Sequence, residues 1–210
     1  MTDMLPPEIW WKILDLVPGS SLCQMALVSK YFHQLVQDPK LWNHVQLRRD
    51  VIEREGLSSL LDNPRLSQVN HIDLSYLDLT QESDKSLTTI FRRFRRILMR
   101  YCQVSQKQLY CIVKILESVT TVKQLCLDSV TLSDIADDNL TKAVVNVNEL
   151  DLNNTSMTLS QINHLLVNMT TSNIQELTLS GQDLSEISPY HLSMSAAQVN
   201  VMFAQRIWHM

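Results

Sequence analysis

The sequence predicts an α/β chain in two parts. A short three-helix module is followed by a right-handed solenoid, whose repeats each place one parallel strand on the concave side and one helix on the convex side. Two observations support this prediction. Residues 5–47 hold apolar positions at helical spacing, interrupted by proline-containing breaks. Beyond them, one six-residue strand pattern returns every 25–28 residues, with helical periodicity between its copies.

The composition of the 210 residues excludes several classes of protein. Three glycines are too few for glycine-rich phosphate loops or for a sandwich with many tight turns. The sequence contains no run of 18 apolar residues, so it predicts no membrane-spanning helix. Its N-terminus lacks the basic and apolar segments of a secretory signal. We therefore expect a cytoplasmic and/or nuclear chain with reduced thiols at Cys23, Cys102, Cys111 and Cys126.

Charge is distributed unevenly along the chain, whose total is −4. Residues 1–47 carry a net charge of −1, residues 48–121 a net charge of +3, and residues 122–210 a net charge of −6. A protein partner is expected to be polarised in the opposite sense. The acidic C-terminal part argues against a nucleic-acid partner, which would need a broad basic stripe.

The first predicted helix has a distinct apolar face. Pro7 suits a first helical turn, because its missing N–H would have no partner there. Ile9, Ile13 and Leu16 then recur on one side, and residues 17–19 end the helix.

The rest of this module contains two further predicted helices. Gln24 follows Ser21 at capping-box spacing, so the second helix is expected to begin there. The pair at 38–39, Asp-Pro, ends it, and a short third helix follows at 41–42.

Three short helices enclose a thin core, which a neighbouring surface usually has to cover. The apolar face of the first helix is therefore a candidate docking surface for a partner. The alternative is that Ile13, Leu16 and Val28 pack inward and hold the three helices together.

This segment resembles an F-box over its whole length. The matching positions are Leu5-Pro6, Glu8-Ile9, Ile13, Leu16, Pro18, Leu22, Val28-Ser29, Phe32, Leu35, Asp38-Pro39, Leu41-Trp42 and Val45-x-Leu47. The resemblance implies docking onto the small Skp-type adaptor and, through it, onto a cullin–RING ubiquitin ligase. It also implies that the adaptor contacts Leu5, Pro6, Ile9, Ile13, Leu16 and Leu22.

An internal repeat occupies most of the remaining chain. Its copies are centred on Ile72, Ile97, Leu125, Leu150 and Leu177, with a degenerate first copy on Val45. Seven residues after each of the last five centres comes another apolar residue: Leu79, Val104, Leu132, Met157 and Leu184. One strand and one helix in 20–29 residues is the leucine-rich-repeat unit. The chain thus resembles the F-box/leucine-rich-repeat family, whose members recruit substrates to SCF-type ligases.

These patterns predict four regions. Residues 1–47 are the F-box, 48–68 a helical insert or linker ending near Asn63-Pro64, and 69–184 the leucine-rich repeats. Residues 185–210 are either a repeat remnant, with a strand near residue 203, or a capping helix on which Val199, Met202 and Phe203 share a face.

The repeats depart from the usual pattern after each strand. The Asn or Cys expected there is present only as Cys102, and the equivalent positions are Leu77, Val130, Thr155 and Gln182. The side-chain ladder that satisfies the turns is therefore weak, so other groups are expected to bond the backbone.

Catalytic motifs are absent from the sequence, and we predict neither an enzyme nor a cofactor or metal. His44, His71 and Asp73 lie close enough in the pattern to suggest a metal site, but solvent-facing polar residues on a strand are the preferred interpretation. Because side chains alternate along a strand, the residues between the core positions face one open surface. The substrate-face candidates on it are His71, Asp73, Arg96, Arg100, Asp128, Glu149, Asp151 and Glu176.

The predicted function is substrate recognition for an SCF-type ubiquitin ligase. The F-box binds the adaptor, and the concave face binds a protein substrate, with no nucleic-acid or membrane partner. Arg96 and Arg100 are placed to hold a carboxylate or phosphate of that substrate. The alternative is a non-ligase scaffold, or a truncated decoy that occupies the adaptor without presenting a substrate.

Overall fold

The computed structural model describes residues 5–17, 19–38, 41, 44–46, 57–62, 69–182, 187 and 200–202. In these ranges the α-helices are α1 Pro7–Leu14, α2 Gly19–Val28, α3 Lys30–Leu35, α4 Leu57–Leu61, α5 Asp84–Arg93, α6 Gln106–Ser118, α7 Asp137–Val144 and α8 Leu159–Asn168. A 3-10 turn, Met169–Thr171, follows α8. The strands are β1 His44–Gln46, β2 His71–Asp73, β3 Arg96–Leu98, β4 Gln124–Cys126, β5 Glu149–Asp151, β6 Glu176–Thr178 and β7 Asn200–Met202.

The strands form one parallel sheet in sequence order, from β1 to β7. From β1 to β6, each strand pairs with the next in the register that the repeat predicts, so His71 is opposite Arg96 and Glu149 is opposite Glu176. On β7, Val201 is opposite Leu177. The middle residue of each of β2 to β6 is buried. The predicted parallel sheet is therefore confirmed, and the 25–28-residue spacing is the length of one strand, one turn and one return segment.

The main core lies between this sheet and the helices α5 to α8. The centres of β2 to β5 share one core with the apolar residues that follow seven positions later, of which Leu79 and Leu132 are fully buried. Leu184, which follows the centre of β6, lies outside the described residues. Each helix turns its apolar face to the same core, as Leu87, Ile90 and Phe91 do on α5. Burial of these side chains supplies most of the stabilisation, at roughly 1.5–3 kcal/mol for each large apolar residue.

Three helices of the repeats begin where a side chain accepts a backbone N–H, whereas α7 begins after Ala136 without such a cap. Ser83, Ser105 and Thr158 cap α5, α6 and α8, each accepting from the amide three residues later. An N-cap of this kind contributes about 1 kcal/mol and fixes the point at which each turn becomes a helix.

Each of the strands β2 to β6 is followed by a residue in the left-handed region. These residues are Tyr76 (φ 65°), Tyr101 (φ 53°), Ser129 (φ 62°), Asn154 (φ 51°) and Gly181 (φ 78°). They occupy one repeat position, and the backbone amide of each of the first four donates to the next repeat. The left-handed residue turns the chain away from the strand direction, so it sets the corner of every repeat.

The next position partly replaces the missing side-chain ladder. The Cys102 thiol donates to the Leu74 carbonyl at 3.0 Å, and the Thr155 hydroxyl donates to the Leu152 carbonyl at 2.8 Å. Gln182 Nε2 donates to both the Leu152 carbonyl and Thr155 Oγ1. The Cys102 thiol is the ladder residue that the sequence predicts, and the Thr155 hydroxyl and the Gln182 amide satisfy turn groups that the sequence left without an expected partner.

One expectation about the helices is wrong, and one of the two alternatives for the tail does not hold for residues 200–202. The long second helix is two helices, because the backbone of Ser29 is extended (φ −159°, ψ 159°) and its side chain caps α3 through the amide of Phe32. In the tail, Asn200–Met202 is a strand that pairs with β6, so these residues are not part of a capping helix. The predicted helix end at Asn63-Pro64 lies outside the described residues.

Candidate functional site

The helix α1 has one buried side and one exposed side. Leu14 is fully buried against Leu22, Leu35 and Val36, which form a small core of their own. Trp10, one turn earlier, packs edge-to-face on Phe32 with a centroid distance of 4.9 Å. Since Leu14 and Trp10 anchor α1, the other side of this helix remains open.

Large apolar side chains are exposed on and beside α1, among the exposed charged residues Glu8, Lys12 and Asp15, and at the end of α2. They are Leu5, Ile9, Trp11, Ile13, Leu16, Leu27 and Val28, and we call this set the apolar face. Leu16 is 85% exposed and Leu27 is 87% exposed. Ile13, Leu16 and Val28 therefore do not hold the helices together. So many exposed large apolar side chains in one short segment are typical of a surface that another protein covers.

The structure corrects one residue of the predicted adaptor contact. Leu22 is 1% exposed and belongs to the small core with Leu14. It cannot touch a partner unless the three helices separate, so its assignment to the interface is wrong. Leu5, Pro6, Ile9, Ile13 and Leu16 are exposed at the surface as expected.

Comparison with protein families identifies this part of the chain. Residues 2–48 match the F-box-like family. This segment is an F-box-like domain. An F-box implies binding of a Skp-type adaptor within an SCF-type complex, and F-box proteins are generally non-catalytic. No curated protein matches the chain.

The second candidate surface is formed by the strands β2 to β6, and we call it the strand face. It consists of the first and third residue of each strand, which flank the buried centre, and of the residue two positions after the strand ends. The structure brings all eight predicted substrate-face residues onto it. His71, Arg96, Glu149 and Glu176 share the first column of the sheet, and Asp73 and Asp151 share the second. Arg100 and Asp128 follow the ends of β3 and β4.

Charge on the strand face changes sign across the sheet. Arg96 and Arg100 are exposed on and after β3, whereas Glu149 and Glu176 are exposed on β5 and β6. A shallow cleft of about 320 Å³ spans this boundary. It is lined by Arg96, Leu98, Arg100, Gln124, Leu125, Cys126, Glu149, Leu150, Asp151, Glu176 and Thr178. An acidic group is favoured at its β3 side and a basic group at its β5–β6 side.

A second opening of about 360 Å³ adjoins the first at the amino ends of the strands. It is lined by Arg95, Arg96, Lys123, Gln124, Asn148 and Glu149. Three of its residues carry positive charge, so the basic region extends beyond β3 to the start of β4.

Several predicted residues bond their own strand ends. Asp73 Oδ1 accepts from the amide of Ser75 at 2.9 Å, and Asp151 Oδ1 accepts from the amide of Asn153 at 3.1 Å. These carboxylates therefore fix the turns as well as contributing charge to the strand face.

Cys126 lies on the floor of the cleft between groups of opposite charge. Its thiol donates to Asp151 Oδ2 at 3.2 Å. Burial raises the pKa of the Cys126 thiol to about 11, and the carboxylate of Asp151 acts in the same direction. The pKa of Arg100 is raised above its usual value, first by its contact with Cys126 and then by the nearby carboxylates. The thiol is therefore neutral near pH 7 and does not serve as a nucleophile.

Alkylation of Cys126 tests this charge arrangement. With a pKa of about 11 against an unperturbed 9.0, the thiol holds about 100-fold less thiolate at pH 8. We expect iodoacetamide to modify Cys126 about 100-fold more slowly in the folded chain than in urea. Asp151→Asn removes the acceptor and the negative charge, so it should speed the reaction, whereas Arg100→Ala should slow it. Equal rates for folded and unfolded wild-type chain would contradict the assignment.

Among the described residues, no group of three His, Cys, Asp or Glu side chains could hold a metal ion. None of the helices described is long and apolar enough to cross a membrane.

Sequence reasoning missed two sets of surface residues. Trp11 and Leu27 belong to the apolar face, and the exposure of Leu27 depends on how α2 packs, which its spacing alone does not reveal. Tyr76 and Tyr101 were missed as a pair, although they occupy equivalent positions in adjacent repeats.

Proposed function

We propose that the chain is the substrate-recognition subunit of an SCF-type ubiquitin ligase. The F-box-like domain docks on a Skp-type adaptor through the apolar face, and the strand face holds a protein substrate. The observation that carries the proposal is the apolar face itself: seven exposed large side chains on the domain whose family binds such adaptors.

The repeat geometry supports a leucine-rich-repeat solenoid as the substrate-binding part. Each unit from β2 to β6 has a short parallel strand and a left-handed corner residue, and helices return the chain between strands. Solenoids of this kind present their strands as one extended surface, which suits recognition of another protein.

The chain itself makes and breaks no bond under this proposal. Holding a substrate on the strand face while the F-box holds the adaptor raises the effective concentration of the substrate near the ubiquitin-transfer machinery. Proximity of this kind accelerates a reaction without any catalytic group from the subunit that provides it.

The charge boundary on the strand face indicates the kind of substrate. Arg96 and Arg100 favour an acidic or phosphorylated segment, since a guanidinium holds a carboxylate or phosphate through two parallel hydrogen bonds. The double variant Arg96→Ala/Arg100→Ala should therefore lose substrate capture while keeping the adaptor. Unchanged capture by that variant would exclude the arginines from recognition.

Co-expression with a Skp-type adaptor tests the proposal. We expect the wild-type chain and the adaptor to co-elute as one complex in size-exclusion chromatography. The double variant Leu5→Ala/Pro6→Ala should elute apart from the adaptor, because both side chains are exposed and precede the first helix. A folded wild-type chain that fails to bind the adaptor would leave only an interaction scaffold and would end the ligase proposal.

A further inference from the structure

Two tyrosines on adjacent repeats form an exposed stacked pair. The rings of Tyr76 and Tyr101 are 5.3 Å apart at 7° to each other. Tyr76 is 67% exposed and Tyr101 is 51% exposed, so neither ring contributes to the core. The pair lies just beyond the carboxyl ends of β2 and β3, at the border of the strand face.

The backbone at this position does not call for tyrosine. Both residues have positive φ, a conformation that is unfavourable for a bulky side chain. The equivalent corners are Ser129, Asn154 and Gly181, all of them small residues. Stacking offsets only part of the strain, because the rings stay in water. Backbone strain at a position where the fold also accepts less strained residues, such as Asn or Gly, is typical of a functional site.

Backbone hydrogen bonds hold the two tyrosines in place, and a positively charged residue precedes one of them. The amide of Tyr76 donates to the carbonyl of Arg100 at 2.8 Å, and the amide of Tyr101 donates to the carbonyl of Asp128 at 2.9 Å. Arg100 precedes Tyr101 directly, and Arg96 lies four residues earlier on β3. Tyrosine and arginine are the residue types that most often dominate the binding energy of protein interfaces, because they offer large, rigid contact areas.

We propose that the stacked pair Tyr76–Tyr101 anchors the protein segment that the strand face binds. That segment carries an aromatic ring or a proline, which packs on the outer faces of the tyrosine rings, beside an acidic side chain held by the β3 arginines. The proposal rests on the proposed function only in taking the strand face as the site where a protein binds.

Selection of peptides on the full-length chain tests this inference. A phage library of random 12-residue peptides is selected on the wild-type chain, and one enriched peptide is synthesised for fluorescence anisotropy. We expect enriched peptides to combine an acidic residue with an aromatic residue or a proline. Their affinity should fall at least tenfold on Tyr76→Asn/Tyr101→Asn, which places the residue of Asn154 at both corners.

The matched control is Ser129→Asn, which introduces the same residue at the next corner of the sheet. It should leave peptide affinity within twofold of the wild type. The tyrosine double variant should also melt no lower than the wild type, because asparagine tolerates the left-handed conformation.

Two results would overturn the proposal. One is that the enriched peptides bind the double variant as tightly as the wild type. The other is that the double variant melts several degrees lower, which would reveal a structural role for the tyrosines. Co-elution with the Skp-type adaptor is measured on the same preparations. If the chain co-elutes with the adaptor and the tyrosine substitutions leave peptide affinity unchanged, this inference alone is wrong. If the chain does not co-elute with the adaptor, the proposed function alone is wrong.

Discussion

The variant Leu16→Asp is expected to abolish adaptor binding while leaving the chain folded. Leu16 is 85% exposed, so a charge there costs little in the free chain. In the complex the same carboxylate would be buried against apolar groups without a partner, which is strongly unfavourable. We expect affinity for the Skp-type adaptor to fall by about 100-fold or more, as at the centre of other protein interfaces. Titration calorimetry with purified adaptor measures this change.

The control for this variant is Val167→Asp. Val167 is 52% exposed on α8, far along the chain from the apolar face, so it receives the same charge at another exposed apolar position. Adaptor affinity should stay within twofold of the wild type, and both variants should keep the wild-type melting temperature. Equal losses from the two variants would show that the added charge, and not the apolar face, is responsible.

The second large effect concerns stability and comes from Gln161→Ala. Gln161 is 1% exposed and joins three backbone groups. Its Nε2 donates to the carbonyls of Leu132 and Ile135 at 2.8 and 2.6 Å, and its Oε1 accepts from the amide of Thr158 at 2.7 Å. Truncation leaves these groups buried without partners, at about 1–3 kcal/mol for each unsatisfied group, and we expect a total near 3 kcal/mol. Urea unfolding measures this loss.

Gln108→Ala is the matched control, because Gln108 occupies the same third position of α6. It is 5% exposed, and its Nε2 donates to the carbonyl of Glu82 at 3.3 Å. Its Oε1 has no hydrogen-bond partner among the described residues. With one long hydrogen bond instead of three short ones, the loss should be near 1 kcal/mol. Equal losses would mean that packing, and not hydrogen bonding, explains both glutamines.

The parallel sheet was predictable because its signal repeats. An apolar residue every 25–28 positions fixes which side chains enter the core, and a one-residue shift of register would expose all of them. The register from β1 to β6 followed directly. The split between α2 and α3 was not predictable from apolar spacing, because that spacing continues without a break across Ser29. The split depends on the extended backbone of this one residue, whose side chain caps α3.

The candidate surfaces were predictable in part. Alternation along the strands identified the charged residues of the strand face, because a strand has only two sides. The resemblance to F-boxes placed Leu22 at the adaptor contact, and the spacing of apolar residues in a three-helix module did not reveal that Leu22 packs on Leu14. The tyrosine pair was invisible for a different reason: it depends on a left-handed corner, and residue type alone predicts such a corner only for Gly, Asn and Asp.

Hydrogen–deuterium exchange of the full chain, with and without a purified Skp-type adaptor, tests the central claim most directly: that the chain binds its adaptor through one surface and leaves the other free. We expect the adaptor to slow exchange in residues 7–17 and 19–28, which contain α1 and α2. Exchange in residues 96–100, 124–128 and 149–151 should not change. Protection confined to those strand residues, or no protection of α1 and α2 by saturating adaptor, would contradict the account.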